Sequence, residues 1–144
     1  YCIQLNKQTQ GALHMNYSTQ QLTDINDYTV EDIANIKAIA EQSAKTAQHD
    51  FLQQWNDSTG GNAYGEPVYC GFAWANIYGI KGNTKLGKRL KAAGLEQDYT
   101  KAYSVWNPGQ YHGQSMDVKE AGARAYANVL TAYGFRASAG SRAD

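Results

Sequence analysis

The sequence predicts an α+β fold: a small sheet of three to four strands covered by two helices, with a long N-terminal helix that packs on the sheet or mediates self-association. Apolar residues recur at helical spacing over 29–56, and they alternate as in a strand over 68–80. Two further helix patterns, each ended by a glycine, then separate strand-like runs. We therefore predict a long helix (29–56), a connector (57–67) and a βαβαβ core (68–144).

The long helix begins at a clear N-terminal signal. Thr29 is a good cap, and Asp32 three residues later forms an imperfect capping box. The apolar stripe of this helix needs a partner, which is either the sheet of the same domain or the same helix in a second subunit. The stripe consists of Ile33, Ile36, Ala40, Ala44, Ala47, Phe51 and Trp55.

The best strand pattern spans residues 68–80. Because both of its faces are apolar, we expect a central strand that is covered on both sides. Cys70 would then be a buried and chemically inert thiol, as free cysteines often are. The alternation places Val68, Cys70, Phe72 and Trp74 on one face and Tyr69, Ala73, Ala75 and Ile77 on the other.

Caps and glycines indicate the remaining core elements. Asn83 is a suitable cap for a second helix, which Gly94 ends in a left-handed conformation. A strand at 99–106, a third helix that starts near Ser115 or Asp117, and a short strand at 135–139 complete the core.

The first residues read as foreign to the domain. The chain opens on Tyr1, and "GALHM" ends in His14 and Met15, a pair that cloning junctions often leave before a start codon. We interpret residues 1–14 as a cloning remnant, with a piece of a processed precursor as the alternative, and residues 15–28 as a polar arm. In the first case Cys2 has no biological role.

Composition excludes several classes of site. The sequence contains no apolar run of membrane-spanning length and no signal-peptide core. Two cysteines at positions 2 and 70 are too few for a disulfide framework and lack zinc-ligand spacing, so a reducing, intracellular setting is expected. We predict no metal site and no cofactor.

Charge is segregated along the chain although the formal net charge is zero. Residues 1–66 hold three lysines against eight acidic residues, and residues 67–144 hold ten Lys or Arg against five acidic residues. The two parts therefore carry −5 and +5. Either the C-terminal part binds something anionic, or the two parts attract each other.

Two surfaces are candidates for binding. Residues 81–91 contain five cations and no acid, and aromatic residues follow, which suits phosphate binding and base stacking. The alternative is a solvated helix face with aromatics in the core. The loop 106–115 precedes a helix whose N–H groups can hold an anion, although Asp117 opposes this. The predicted binding residues are Lys85, Lys88, Arg89, Trp106, Asn107, His112, Gln114, Ser115 and Arg142.

The motifs "YGEPVYCGFAW" (64–74), "GNTKLGKRLKAAG" (82–94), "WNP" (106–108), "QSMDVKEAGARAYANVL" (114–130) and "GSRAD" (140–144) resemble a family of small tailed-bacteriophage proteins of unknown function. The resemblance covers about residues 62–144. It implies a viral gene product that works in the cytoplasm of a bacterial host or in the virion. The family has no assigned catalytic residue, so the resemblance implies none here.

Three functional hypotheses follow. The first is a non-enzymatic phage accessory protein that binds a host or virion protein, or an anionic ligand, through helix 81–91 and loop 106–115. The second is a nucleic-acid-binding module, for which Lys88→Glu with Arg89→Glu weakens binding to every sequence alike. The third is a hydrolase or transferase that uses Cys70 and His112. The residues favour a binding protein over an enzyme.

Overall fold

A computed structural model describes residues 19–60 and 65–144 of the chain. It confirms the predicted α+β class and the long N-terminal helix packed on the sheet. A short 3-10 helix, Ile25–Asp27, precedes the main elements. These are α1 (Val30–Thr59), β1 (Gly71–Tyr78), α2 (Lys85–Ala92), β2 (Glu96–Gln97), β3 (Tyr103–Trp106), α3 (Met116–Ala132) and β4 (Arg136–Ala143).

The four strands form one antiparallel sheet in the order β2-β3-β1-β4. With α2 between β1 and β2, and α3 between β3 and β4, this is the βαββαβ arrangement of the split βαβ motif. The predicted βαβαβ core lacked β2, because a two-residue strand is too short to show an alternating pattern.

Local signals set most helix ends. The capping box of α1 is complete, since the Thr29 side chain accepts from the Asp32 N–H and the Asp32 carboxylate accepts from the Thr29 N–H. The cap of α2 is Thr84 rather than the predicted Asn83, and the cap of α3 is Ser115. Gly94 adopts a positive φ of 98°, as predicted for the residue that ends α2.

The core lies between the sheet and the helices. The N-terminal half of the α1 stripe is buried there, and its most extensive contact is with α3. Gln48 of α1 is 4% exposed and fits against Gly109 and Gly122, where a Cβ would lie 2.2 Å and 2.3 Å from its Nε2. The stripe thus packs within its own domain, and self-association through α1 stays a prediction.

The central strand β1 is covered on one side only, so the expectation of two covered faces is wrong. Ala73, Ala75 and Ile77 are each 1% exposed beneath the helices, whereas Phe72 is 36% exposed on the other side. No helix in the described ranges covers that side, which we call the open face. It carries Phe72, Trp74, Asn76 and Tyr78 of β1, Ser104 and Trp106 of β3, and Arg136, Ser138, Gly140 and Arg142 of β4.

The expectation of a shielded Cys70 is also wrong. Cys70 is exposed, because it precedes β1 at the sheet margin, where it forms an isolated bridge with Ser115. The predicted remnant at 1–14, with Cys2, and the first part of the arm at 15–28 lie outside the described residues. Among the helices of the described part, none is both long and apolar enough to cross a membrane.

Candidate nucleic-acid interface on the open face

Three aromatic rings lie next to one another on the open face. Trp74 and Trp106 are paired across β1 and β3, and their ring centroids are 4.8 Å apart at an interplanar angle of 39°. The Phe72 ring meets Trp106 edge-on at 6.4 Å. Trp106 is 56% exposed, so a large part of its ring surface contacts solvent. We call these three residues the aromatic cluster.

A glycine in β4 makes room for the cluster. Gly140 pairs with Trp74, and a Cβ at Gly140 would lie 2.6–2.8 Å from three atoms of the indole ring. Real Cβ contacts are never this short, so the indole lies directly over the β4 backbone. The small side chain at position 140 therefore determines where Trp74 sits.

Cations flank the aromatic cluster. The guanidinium of Arg142 lies 5.6 Å from the Phe72 ring centroid, and the ammonium of Lys119 lies 5.5 Å from it. Both distances suit cation–π attraction. Lys119 also donates to the carbonyl oxygen of Gly71 at 3.0 Å and is 9% exposed, so it is fixed, whereas Arg142 is exposed. Arg136 lies at the opposite end of β4.

A polar group of side chains adjoins the aromatic cluster. The Ser104 hydroxyl lies between the Asn76 amide oxygen and a carboxylate oxygen of Asp98, 2.9 Å away. The Ser104 hydroxyl has one proton and can donate to only one of these two oxygens. The charged Asp98 carboxylate is the stronger acceptor, so the proton is directed to Asp98. At the other side, Asn76 and Ser138 both donate to the hydroxyl oxygen of Tyr78 at 3.1 Å. Asn76 is 9% exposed and bonds within this group, whereas the Tyr78 and Ser138 hydroxyls are exposed beside the rings.

Asp98 keeps its negative charge at neutral pH. The hydroxyl of Thr100 donates to its carboxylate and lowers the pKa, and the hydrogen bond from Ser104 acts in the same direction. Glu96 pairs with Ser104 and lies on the same face. Acidic groups thus occupy the β2 edge of the open face, and Arg136 and Arg142 occupy the β4 edge. An anion on this face is attracted towards β4.

The predicted binding residues do not share one site. Trp106 and Arg142 lie on the open face, whereas Lys85 and Lys88 are exposed on α2. Arg89 donates to the carbonyl oxygens of Asn26 and Tyr28 at 2.7 Å and 3.2 Å, and so ties α2 to the N-terminal segment.

Most of the predicted binding residues in loop 106–115 hold the loop in its conformation. Asn107 has a φ of 46°. Its side-chain NH₂ group donates to the carbonyl oxygen of Tyr111, and its side-chain oxygen accepts from the Tyr111 N–H. Ser115 is fully buried as the α3 cap, and the backbone N–H of Gln114 donates to Glu66 at 3.2 Å. His112 is exposed.

The geometry around Cys70 gives no support to catalysis. Its thiol lies 3.6 Å from the carbonyl oxygen of Val68, and within the described residues it makes no hydrogen bond to His112. No group of three or more His, Cys, Asp or Glu in that same part of the chain is placed to hold a metal.

Within residues 19–60 and 65–144, the ion pairs seen do not join the two charged parts. The ion pairs seen among the described residues are Lys45–Glu41, His49–Asp50 and Arg124–Glu120. Each joins near neighbours on one helix. Of the cations in the C-terminal part, Lys81, Lys91, Lys101 and Arg142 are exposed and in no ion pair with a described carboxylate, so they can meet an external anion.

Phe72, Trp74 and Arg136 were missed as site residues by sequence reasoning. A usable signal was present, because alanines at 73 and 75 alternate with aromatic residues at 72 and 74. Small residues suit the side on which helices pack closely, which leaves the large rings for the other side.

Comparisons of this chain with known protein families, curated proteins and solved structures find no match. The resemblance to small tailed-phage proteins therefore stays a prediction.

Proposed function

We propose that this protein binds single-stranded nucleic acid on the open face of its sheet. The observation that carries the proposal is the aromatic cluster on the two central strands, flanked by arginines of β4. Bases stack on exposed aromatic rings, and arginines bind the phosphates that connect them. This is the second of the three functional hypotheses, moved from helix 81–91 to the sheet.

The arrangement suits an unpaired strand better than a duplex. A duplex buries the faces of its bases within the stack, so only an unpaired base can lie on Trp106 or Phe72. Domains of the RNA-recognition-motif type stack bases on aromatic residues of a four-stranded sheet, and the analogy is one of architecture alone. The two most exposed rings offer room for about two bases.

The charged side chains of the open face would orient a bound nucleic-acid strand. The phosphates would lie along β4, near Arg142 and Arg136, because Glu96 and Asp98 repel them from the β2 edge. The bases would then extend over β1 and β3, where the Phe72 and Trp106 rings are exposed. If the phage resemblance holds, the bacterial host cytoplasm would supply such strands.

The experiment compares two surfaces by a matched pair of variants. Fluorescence anisotropy of a labelled 12-nucleotide oligothymidine is measured between 50 and 200 mM salt, with the wild type, Arg142→Ala and Lys88→Ala. Each phosphate contact contributes a slope of about −0.7 to the plot of log K against log salt for single strands. We expect Arg142→Ala to weaken binding and to flatten this slope by about 0.7.

Lys88→Ala tests the helix 81–91 surface instead. Lys88 is preferable to Arg89 there, because Arg89 holds backbone carbonyls and its loss would disturb the fold. Weaker binding in Lys88→Ala with unchanged binding in Arg142→Ala would refute the open face. Equal affinity for the strand and for its duplex would refute the preference for unpaired bases.

A further inference from the structure

A pocket of about 390 Å³ opens beside the turn that leads into α2. Three of its lining residues are lysines and none is acidic. It lies on the helical side of β2, since Gln97 pairs with Tyr103, whose side chain points into the core. The pocket is therefore separate from the open face. Its lining consists of Lys81, Gly82, Asn83, Lys91, Gln97 and Lys101.

The three lysines reach the pocket from separate places in the chain. Lys81 precedes α2, Lys91 belongs to its last turn, and Lys101 lies in the turn between β2 and β3. All three are exposed, and in residues 19–60 and 65–144 none is paired with a carboxylate. Positive charge thus converges here without neutralisation by the described side chains.

The backbone of the turn at Gly82 lies close to the ends of two side chains that line the pocket. A Cβ at Gly82 would lie 2.6 Å from the Gln97 side-chain oxygen and 2.8 Å from the Lys91 ammonium, which donates to the Gly82 carbonyl oxygen at 3.3 Å. Glycine at this position lets the turn approach both side chains.

Lys101 has a φ of 72°, a left-handed conformation that is unfavourable for a residue with a side chain. The Gln97 amide holds the turn by donating to the Lys101 carbonyl oxygen at 3.0 Å. Glycine or asparagine would adopt this turn more readily. A cation held at such a position points to a role for its charge.

We propose that this pocket binds a phosphate group. Lysine ammonium groups act as point charges that suit phosphate oxygens from several directions. The volume admits a phosphate or a pyrophosphate. The phosphate belongs either to a small free anion or to the end of a nucleic-acid strand. The proposal does not depend on the function assigned to the open face.

The test is calorimetric titration of the full chain with pyrophosphate at low salt. We expect saturable 1:1 binding in the wild type, weakened at least about tenfold in Lys91→Gln with Lys101→Gln, because each lost lysine removes a charge-assisted hydrogen bond. Lys45→Ala, on the outer side of α1, is the control and should bind as the wild type does. Lys81→Gln alone serves as a second variant if the double variant does not fold.

Two outcomes would overturn the proposal. The first is a wild type that shows no saturable binding at millimolar pyrophosphate. The second is a set of pocket variants that bind pyrophosphate as tightly as Lys45→Ala does.

The source of the phosphate is tested by competition. A 5′-phosphorylated 12-nucleotide strand that displaces pyrophosphate, where the unphosphorylated strand does not, supports a strand end. Failure of both strands to displace pyrophosphate supports a small free anion. Trp106→Ala should leave pyrophosphate binding unchanged, so loss of function at one site is distinguishable from loss at the other.

Discussion

Removing the Trp106 ring is the sharpest perturbation of the proposed strand-binding surface. Trp106 ends β3 beside Trp74 and Phe72, and 56% of it is exposed. Truncating a fully buried tryptophan to alanine costs about 3–5 kcal/mol of stability. Because less than half of this residue is buried, Trp106→Ala should cost about 1–2 kcal/mol, and the variant should remain folded.

The effect on binding should be larger than the effect on the fold. Base–aromatic stacking contributes about 1–3 kcal/mol per base, which corresponds to an increase in Kd of about 5- to 150-fold. The affinity for oligothymidine is measured by fluorescence anisotropy at 50 mM salt, and circular dichroism confirms that the variant is folded. Trp55→Ala, a change on α1 far from β3 in the chain, is the matched control.

A folded Trp106→Ala variant that binds oligothymidine as tightly as the wild type would refute the stacking role of Trp106. Equal losses in Trp55→Ala and Trp106→Ala would refute it as well, since they would indicate a general effect of tryptophan removal.

Three further substitutions test the packing described above. Gly140→Ala should push the Trp74 ring out of place and weaken oligothymidine binding several-fold, at a cost of about 1 kcal/mol in thermal unfolding; unchanged binding would show that the position of Trp74 is unimportant. Tyr103→Phe should leave stability unchanged or raise it by about 1 kcal/mol, because the buried Tyr103 hydroxyl has no hydrogen-bond partner among the described residues; a clear loss in urea unfolding would reveal a partner. Arg89→Ala should lower the melting temperature, because the Arg89 side chain donates to two backbone carbonyl oxygens. Lys85→Ala is the control and should leave the melting temperature unchanged. Equal melting temperatures of the two variants would contradict this structural role of Arg89.

The periodic signals predicted the elements well because they arise from local chemistry. The capping box at Thr29 and the left-handed Gly94 depend on neighbours within a few residues, and both are confirmed. The face assignment along β1 was also right, since alternation follows directly from strand geometry. The two short elements were missed, β2 and the 3-10 helix Ile25–Asp27, because two or three residues carry no period.

The alternating pattern alone could not predict how many faces of β1 the helices cover. Phe72 and Trp74 are apolar enough for a second core, but the described helices all pack on the side of Ala73 and Ala75. Coverage depends on where every helix of the chain packs, which is a property of the whole fold. Cys70, expected to be buried, is exposed because it precedes β1 at the margin of the sheet.

The binding residues were predicted from clusters in sequence, and the structure distributes them by topology. Lys88 and Arg89 are adjacent, yet one is exposed and the other holds the N-terminal segment. Conversely, Lys91 and Lys101 line one pocket only because α2 and the β2–β3 turn meet there. Contacts between segments that are distant in the sequence cannot be predicted from local composition.

The most direct test of the central claim uses the three tryptophans of the chain. The indole N–H resonances of Trp55, Trp74 and Trp106 are followed by ¹⁵N NMR while oligothymidine is added. If single strands bind the open face, the resonances of Trp74 and Trp106 shift with the added strand and that of Trp55 stays in place. A strand that binds while the Trp74 and Trp106 resonances remain unmoved would contradict the account.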